Sequence, residues 1–293
     1  MSDTVEIRPM TAAEVGIAVE WAATEGWNPG LEDAPCFMAE DPEGFWMAFV
    51  DGQPAASISV VNYGPGFGFL GFYICRPELR GRGIGYRLWQ AGMAHHGDRV
   101  IGLDGVPDQQ DNYRKSGFVL AYRNIRYTGT VSVEAPQDPR LVRIGPELVD
   151  AVIAYDRPFF PAPRDKFMTC WLGGETRTGW ALVEDGRVTG YGVIRSCREG
   201  AKIGPLFADD ARRADLLFRR LAASAPGGAP GGAPGGAPAG PIVLDPPEPN
   251  PEAVALARRY GLEPGFETAR MYRGPAPQLP LDRLFGVTTF ELG

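Results

Sequence analysis

The residues best suited to chemistry fall in one short stretch, Leu79-Arg80-Gly81-Arg82-Gly83-Ile84-Gly85-Tyr86. The run before it, Phe69-Leu70-Gly71-Phe72-Tyr73-Ile74-Cys75, is nearly all apolar, as expected of a strand buried on both faces. After it Ile84, Leu88 and Ala91 recur at helical spacing. A helix start offers unpaired backbone N–H groups and the positive end of the helix dipole, which together form an anion site. Gly81, Gly83 and Gly85 carry no Cβ, so a diphosphate can approach the main chain closely. Arg80 and Arg82 add local positive charge to a chain whose formal net charge is -7. The spacing is Arg-x-x-Gly-x-Gly, which is neither a P-loop nor GxGxxG. Glycines at turns also serve backbone geometry alone, so the motif needs company before it carries a function.

Two other groups invite a chemical reading. His95-His96 suggests a metal, but adjacent residues on a helix point apart and the chain has no other histidine. Lying just before Gly97, they read as favourable charges at a helix C-terminus, and no metal site is expected. Cys36, Cys75, Cys170 and Cys197 are scattered, without a CxxC. Reduced thiols are the simplest reading, and no pairing is indicated. Cys75, within an apolar strand, reads as a buried, inert thiol.

The surrounding elements occur twice. Phe45–Val50, Asp51-Gly52 and Ala56–Val60 form a hairpin pattern that returns as Gly179–Glu184, Asp185-Gly186 and Gly190–Ile194. Val100-Ile101-Gly102-Leu103-Asp104 is matched by Pro241-Ile242-Val243-Leu244-Asp245, and Tyr122–Gly129 by Phe266–Gly274. Four blocks in the same order imply one fold used twice. A hairpin followed by helix crossovers implies an α+β class, with a mixed sheet flanked by helices in each half. The halves are placed at 1–132 and 140–293, joined through the Val133–Pro139 run. The GGAP repeat of 225–240 is expected to be a disordered loop inside the second half, since it has almost no apolar side chain to bury.

The glycine turn finds its company downstream, in Asn112-Tyr113-Arg114-Lys115-Ser116-Gly117-Phe118. Together, Arg80-x-x-Gly83-x-Gly85 and a helix ending Tyr-x-x-x-Gly-Phe resemble the GNAT superfamily of N-acetyltransferases. The order of elements over residues 5–130 matches as well. The blocks Glu25–Gly30, Phe67–Phe72, Leu103–Val106 and Phe290–Gly293 are similar to a tandem-GNAT branch that names no acceptor.

That resemblance implies acetyl-CoA as acyl donor. Its pyrophosphate would lie on Arg80, Gly81, Arg82, Gly83, Ile84 and Gly85, and its pantetheine arm along Tyr73, Ile74 and Cys75. An acceptor amine would attack the thioester directly, without a covalent enzyme intermediate. Tyr113 occupies the family's position for the acid that protonates the leaving thiolate, beside the cofactor. The resemblance leaves the base open between Asp104, Glu25 and water, with Asp33 on the same acceptor-side loop. Trp27, Asn28 and Trp46, with Phe45, are the candidate acceptor pocket.

In the second half the glycine turn is replaced by Leu206–Leu217, with Asp209, Asp210 and Asp215 where the phosphates would sit. Anions cap a helix but compete with phosphate, so this half is expected to bind no CoA and to help form the acceptor site. The acidic balance, with a pI of about 5.1, argues against a nucleic-acid partner. No apolar run is long enough for a bilayer, and the N-terminus lacks a secretory pattern, so the expected setting is the cytoplasm, as monomer or homodimer. The expected partner is a small-molecule or peptide amine. The rival is a non-catalytic acyl-CoA sensor, which would keep the glycine turn and have no need of Tyr113.

Overall fold

The computed structural model describes residues 4–225 and 240–293. Most of the run expected to be disordered, 226–239, lies outside the described residues. In the first half the chain forms β1 (Val5–Pro9), α1 (Ala12–Thr24), α2 (Asp33–Glu40), β2 (Phe45–Val50), β3 (Gln53–Tyr63) and β4 (Phe67–Cys75). It continues with α3 (Ile84–His96), β5 (Val100–Gly105), α4 (Gln110–Lys115) and β6 (Val119–Gly129). The second half repeats the plan with β7 (Leu141–Arg143), α5 (Val149–Asp156), α6 (Asp165–Trp171), β8 (Arg177–Glu184), β9 (Arg187–Ser196) and β10 (Ala201–Ala208). Then come α7 (Ala211–Ala222), β11 (Ile242–Leu244), α8 (Pro251–Arg259), β12 (Glu263–Arg273) and β13 (Leu284–Gly286). Both Asp-Gly turns put two successive residues in the left-handed region, Asp51 and Gly52 at φ 48° and 77°, Asp185 and Gly186 at 49° and 76°. That is the twist a two-residue hairpin requires.

The two halves share one sheet, ordered β1-β2-β3-β4-β5-β12-β6-β11-β10-β9-β8-β7. The order reads nearly the same from either end, with the last strand of each half exchanged at the centre. β12 lies antiparallel on β5, with Arg270 opposite Asp104. β6 lies antiparallel on β11, with Leu244 opposite Tyr127. Each half is thus completed by a strand from the other.

The exchange is locked by two related ion pairs. Arg270 on β12 grips Asp104 at the end of β5, Nε to Oδ1 at 2.9 Å and Nη2 to Oδ2 at 2.6 Å. Arg126 on β6 grips Asp245, just after β11, at 2.9 and 2.8 Å. Burial alone would raise the Asp245 carboxyl, but the facing Arg126 holds it below the ordinary carboxylate value. Asp104 also accepts from Asn124 at 2.8 Å, so both exchanged strands converge on it. Each pair is bidentate, the geometry that can repay the cost of removing two charges from water.

On one face of the sheet, α1 and α2 pack with α5 and α6 in a core drawn from both halves, where Phe37 stacks on Trp171 with ring centroids 6.1 Å apart. On the other face α3 covers one apolar cluster, with Leu88 and Trp89 against Ile58, Val60 and Leu103. A second cluster there carries α7 and α8, with Leu217, Leu221 and Leu256. Among the described residues no helix is long and apolar enough to cross a membrane.

Two sequence expectations are corrected. Cys36 and Cys170 are not free thiols but a disulfide joining α2 to α6, Cα–Cα 5.3 Å, across 134 residues of chain. The packing of the two halves brings them together, and their spacing carries no hint of it. His96 is not a charged helix terminus. It is wholly buried, with Nδ1 2.7 Å from Asn62 Oδ1, and burial pushes it down to about 3. His95 takes the polar role, with Nε2 3.2 Å from Asp41.

Replacing Arg270 with alanine would leave Asp104 buried and uncompensated, and should cost about 3–5 kcal/mol in denaturant unfolding. A loss under about 1 kcal/mol would contradict the lock. His96 sets a second expectation. It is neutral in the fold but takes up a proton in the unfolded chain below pH about 6.5. Stability should therefore be full above pH about 6.5 and fall by up to about 1.4 kcal/mol per pH unit below it. His96→Gln should flatten that slope between pH 6.5 and 5, and an unchanged slope would refute it.

Candidate active site

The site grows from a failure of pairing. β4 and β5 run parallel from Phe67 opposite Val100 to Leu70 opposite Leu103, and there the ladder stops. Immediately beyond, the β3–β4 register shifts between Ser57 and Ser59, and Phe72 takes φ 47°. This bulge turns β4 away from β5, whose other edge stays paired with β12 through Gly105. The edge of Gly71, Phe72, Tyr73, Ile74 and Cys75 is thereby left facing a cavity of about 600 Å³.

The glycine turn closes the outer end of that cavity. Gly81 and Gly83 sit at φ 75° and 77°, conformations that a side chain would strain, with open space where a Cβ would point. Gly83 is the N-cap of α3, and no side chain caps the helix. The first turn of α3 therefore keeps amides for an external acceptor. Gly85 is small for another reason: a Cβ there would stand 3.0 Å from the Tyr73 hydroxyl. Arg80 lines the cavity and is steered by Cys75 O at 2.9 Å and Glu25 at 3.0 Å. Arg82 is exposed and does not line the cavity.

Tyr113 enters from α4 and is 7% exposed. Its ring stacks on Trp89 at 5.7 Å and fills the space over Gly105, where a Cβ would meet it at 2.2 Å. Burial, then the nearby Tyr73, pushes the Tyr113 phenol well above its ordinary value, so it keeps its proton at neutral pH. Burial likewise pushes Tyr73 up to about 12, and raises the Cys75 thiol. Burial thus keeps both phenols and the Cys75 thiol in their protonated forms at neutral pH.

Of the remaining sequence candidates, Glu25, Trp27 and Asp104 line the cavity. Asp104 does so while bound to Arg270, and Glu25 while bound to Arg80. Asn28 and Trp46 do not line it. Asn28 exchanges hydrogen bonds with the Glu199 main chain at 2.8 and 3.1 Å, stapling its loop to the second half. Trp46 packs in the cluster under α3, its ring 5.9 Å from that of His95, away from the cavity wall. Asp33 is buried against Arg195 at 3.2 Å.

Residue-by-residue reading of the motifs missed the far wall. Phe266 and Thr268 from β12, with Phe290 and Glu291 after β13, line the cavity from the second half. The strand exchange puts them there, and only the Phe290–Gly293 block, apolar around one acid, hinted at a role.

The second half has the same splay and fills it. β10 and β11 pair from Ala201 to Ile203 only. Beyond Gly204, Leu206 and Phe207 pair instead with Gly286 and Leu284 of β13. By sheet position these correspond to Tyr73 and Ile74, whose edge is open. Asp210 caps α7, accepting from the Arg213 amide at 2.9 Å, where α3 is uncapped. The strand edge and the helix start are both taken by the chain itself.

Comparison with known proteins gives two family matches, one in each half. Residues 14–118 match the acetyltransferase (GNAT) family, and residues 152–230 match an acetyltransferase (GNAT) domain. The chain is 33% identical over 286 residues to holothin acyltransferase of Pseudoalteromonas sp. (strain SANK 73390), covering 98% of this chain and 94% of that protein. Among solved structures, a candidate acetyltransferase of Pyrococcus horikoshii superposes with a TM-score of 0.78 at 20% identity, covering 99% of this chain and 96% of that one. A GCN5-related N-acetyltransferase of Sphaerobacter thermophilus gives 0.62 at 16%, covering 94% and 98%. A tandem GNAT protein from the clavulanic acid biosynthesis pathway gives 0.58 at 15%, covering 94% and 100%. At these identities the solved structures speak for the fold alone.

A carboxylate at residue 83 would stand at the uncapped start of α3 and repel an anion there. Gly83→Glu should weaken acetyl-CoA binding at least about 10-fold by calorimetry, since the lost contacts involve charge. Its melting temperature should stay within a few degrees of the parent. Unchanged affinity would remove the glycine turn from the site.

Proposed function

The chain belongs to the GNAT acyltransferase family as a tandem member, and from that premise we propose that it transfers an acetyl group from acetyl-CoA to a primary amine on a small molecule. The single observation that carries this reading is the unpaired edge of β4 running into the uncapped, glycine-rich start of α3, with Tyr113 on the wall of the same cavity. The same geometry in the second half is occupied by β13, which favours one donor site per chain. The holothin acyltransferase likeness spans both halves, so holothin is the first acceptor to test.

The donor brings a thioester, and the protein supplies placement and proton transfer. Main-chain groups of Tyr73 to Cys75 would pair with the extended arm of the coenzyme, as a neighbouring strand would. Amides of Gly83 to Tyr86, with Arg80, would hold the diphosphate. The amine nitrogen would attack the thioester carbon directly as the C–S bond breaks, and the Tyr113 hydroxyl would give its proton to the departing sulfur. Its raised value does not disqualify it. The burial that raises the phenol also raises the Cys75 thiol nearby, so a coenzyme thiolate formed here would be correspondingly basic. Both carboxylates nominated by the sequence as base, Asp104 and Glu25, already hold an arginine.

Tyr113→Phe keeps the ring on Trp89 and removes only the proton. With holothin and acetyl-CoA it should lower kcat about 100-fold, read as free CoA release, while acetyl-CoA binding by calorimetry stays within about 3-fold. Equal turnover would remove the acid role. Binding without turnover of holothin or any primary amine in a panel would favour the sensor.

A further inference from the structure

Four of the described residues that line the cavity carry carboxylates: Glu25, Asp104, Asp108 and Glu291. Glu25 is paired with Arg80, Asp104 is paired with Arg270, and Asp108 is exposed. Glu291 differs from all three. It is 4% exposed, yet its carboxylate makes no hydrogen bond or ion pair with any described residue. A carboxylate so deep and unpaired is expensive unless something meets it. Neither oxygen is a sealed, unpartnered atom, consistent with its opening on the cavity. The cation whose field reaches it, Arg126, is already bidentate to Asp245.

The segment around Glu291 is held firmly. Thr289 Oγ1 accepts from the Leu292 amide at 2.9 Å, the Tyr63 hydroxyl donates to Leu292 O at 3.0 Å, and Arg164 donates to Gly293 O at 3.2 Å. The Glu291 main chain lies flat on Gly71, where a Cβ would come within 2.1 Å of its carbonyl oxygen. Gly71 is the residue at which β4 leaves β5, so Glu291 stands at the inner end of the open edge. Beside it the Phe290 and Phe266 rings, 6.2 Å apart, form an apolar wall, and Trp27 also lines the cavity.

We infer that Glu291 receives the acceptor amine, and that the acceptor is a primary amine carried on a flat apolar body. The inference rests on the acyl-transfer reading for its chemistry, though the amine site itself does not depend on it. An ammonium arriving from solvent pairs with the Glu291 carboxylate while its body lies on Phe266 and Phe290. Glu291 takes one proton, and the neutral nitrogen forms the N–C bond to the thioester carbon. The C–S bond breaks, its electron pair stays on sulfur, and Tyr113 protonates the sulfur. The second nitrogen proton leaves as the amide forms and restores the Tyr113 hydroxyl through solvent. The proton on Glu291 passes to bulk water, so an ammonium and a thioester become an amide, a thiol and one proton.

The test is benzylammonium titrated calorimetrically into the full chain, with and without CoA, against benzyl alcohol as the uncharged probe. The wild type should bind benzylammonium saturably, Glu291→Gln at least about 10-fold more weakly and Glu291→Asp in between, with benzyl alcohol indifferent to the change. Melting temperatures of the variants report folding separately. With acetyl-CoA and benzylamine, Glu291→Gln should cut free CoA release about 100-fold. Equal amine binding by wild type and Glu291→Gln overturns the inference, and so does the absence of saturable binding to the wild type. Failure of acetyl-CoA to bind the wild type would instead sink the acyl-transfer reading, and the CoA-free titration still decides the role of Glu291.

Discussion

The architecture depends on two buried guanidinium–carboxylate pairs, Arg270 with Asp104 and Arg126 with Asp245. Each joins the end of one half's parallel strand to the exchanged strand of the other half. Buried charges are costly singly and tolerable when bidentate and fully paired. That cost makes the pairs specific: an unexchanged arrangement would put each arginine in its own half, away from its present partner. The exchange places β12 beside β5, and with it Phe266 and Thr268 on the cavity wall. The segment following β13 then passes over Gly204 and Gly71, the two points at which the parallel ladders stop. A Cβ would come within 2.6 Å of Thr288 O at the first and 2.1 Å of Glu291 O at the second.

One fold used twice has been divided by function. In the first half the splayed strands stay apart and the helix start is bare. In the second half β13 pairs with β10 and Asp210 caps α7. The same backbone geometry is a binding edge in one place and a docking edge for the chain in the other. The segment that fills the second cleft goes on to furnish the wall of the first, so the second half is part of the cavity rather than an appendage.

Much of this was legible in the residues. The Asp-Gly hairpins, the buried strand ending at Cys75, the turn from Arg80 to Gly85 and the repeat of four blocks are local patterns, and local geometry follows them. Asp104 and Asp245 were visible as matched strand ends, but their partners 166 and 119 residues away were not. The same limit hid the Cys36–Cys170 disulfide and the burial of His96, since each depends on which face of one half meets the other. Asn28 and Trp46 illustrate the error in the opposite direction. Trp27, beside Asn28, does line the cavity, but the Asn28 side chain is consumed by Glu199 and Trp46 is packed into the cluster under α3. Position along a chain selects an element, and only packing selects the direction of its side chains.

The central claim is that one cleft is open to an acyl-CoA and its repeat is closed by the chain's own strand. Native mass spectrometry of the full chain with increasing acetyl-CoA counts the sites directly. The structure predicts a single saturating adduct of one acetyl-CoA per chain, with no second adduct at tenfold excess. Two specific adducts per chain, or none, would contradict it.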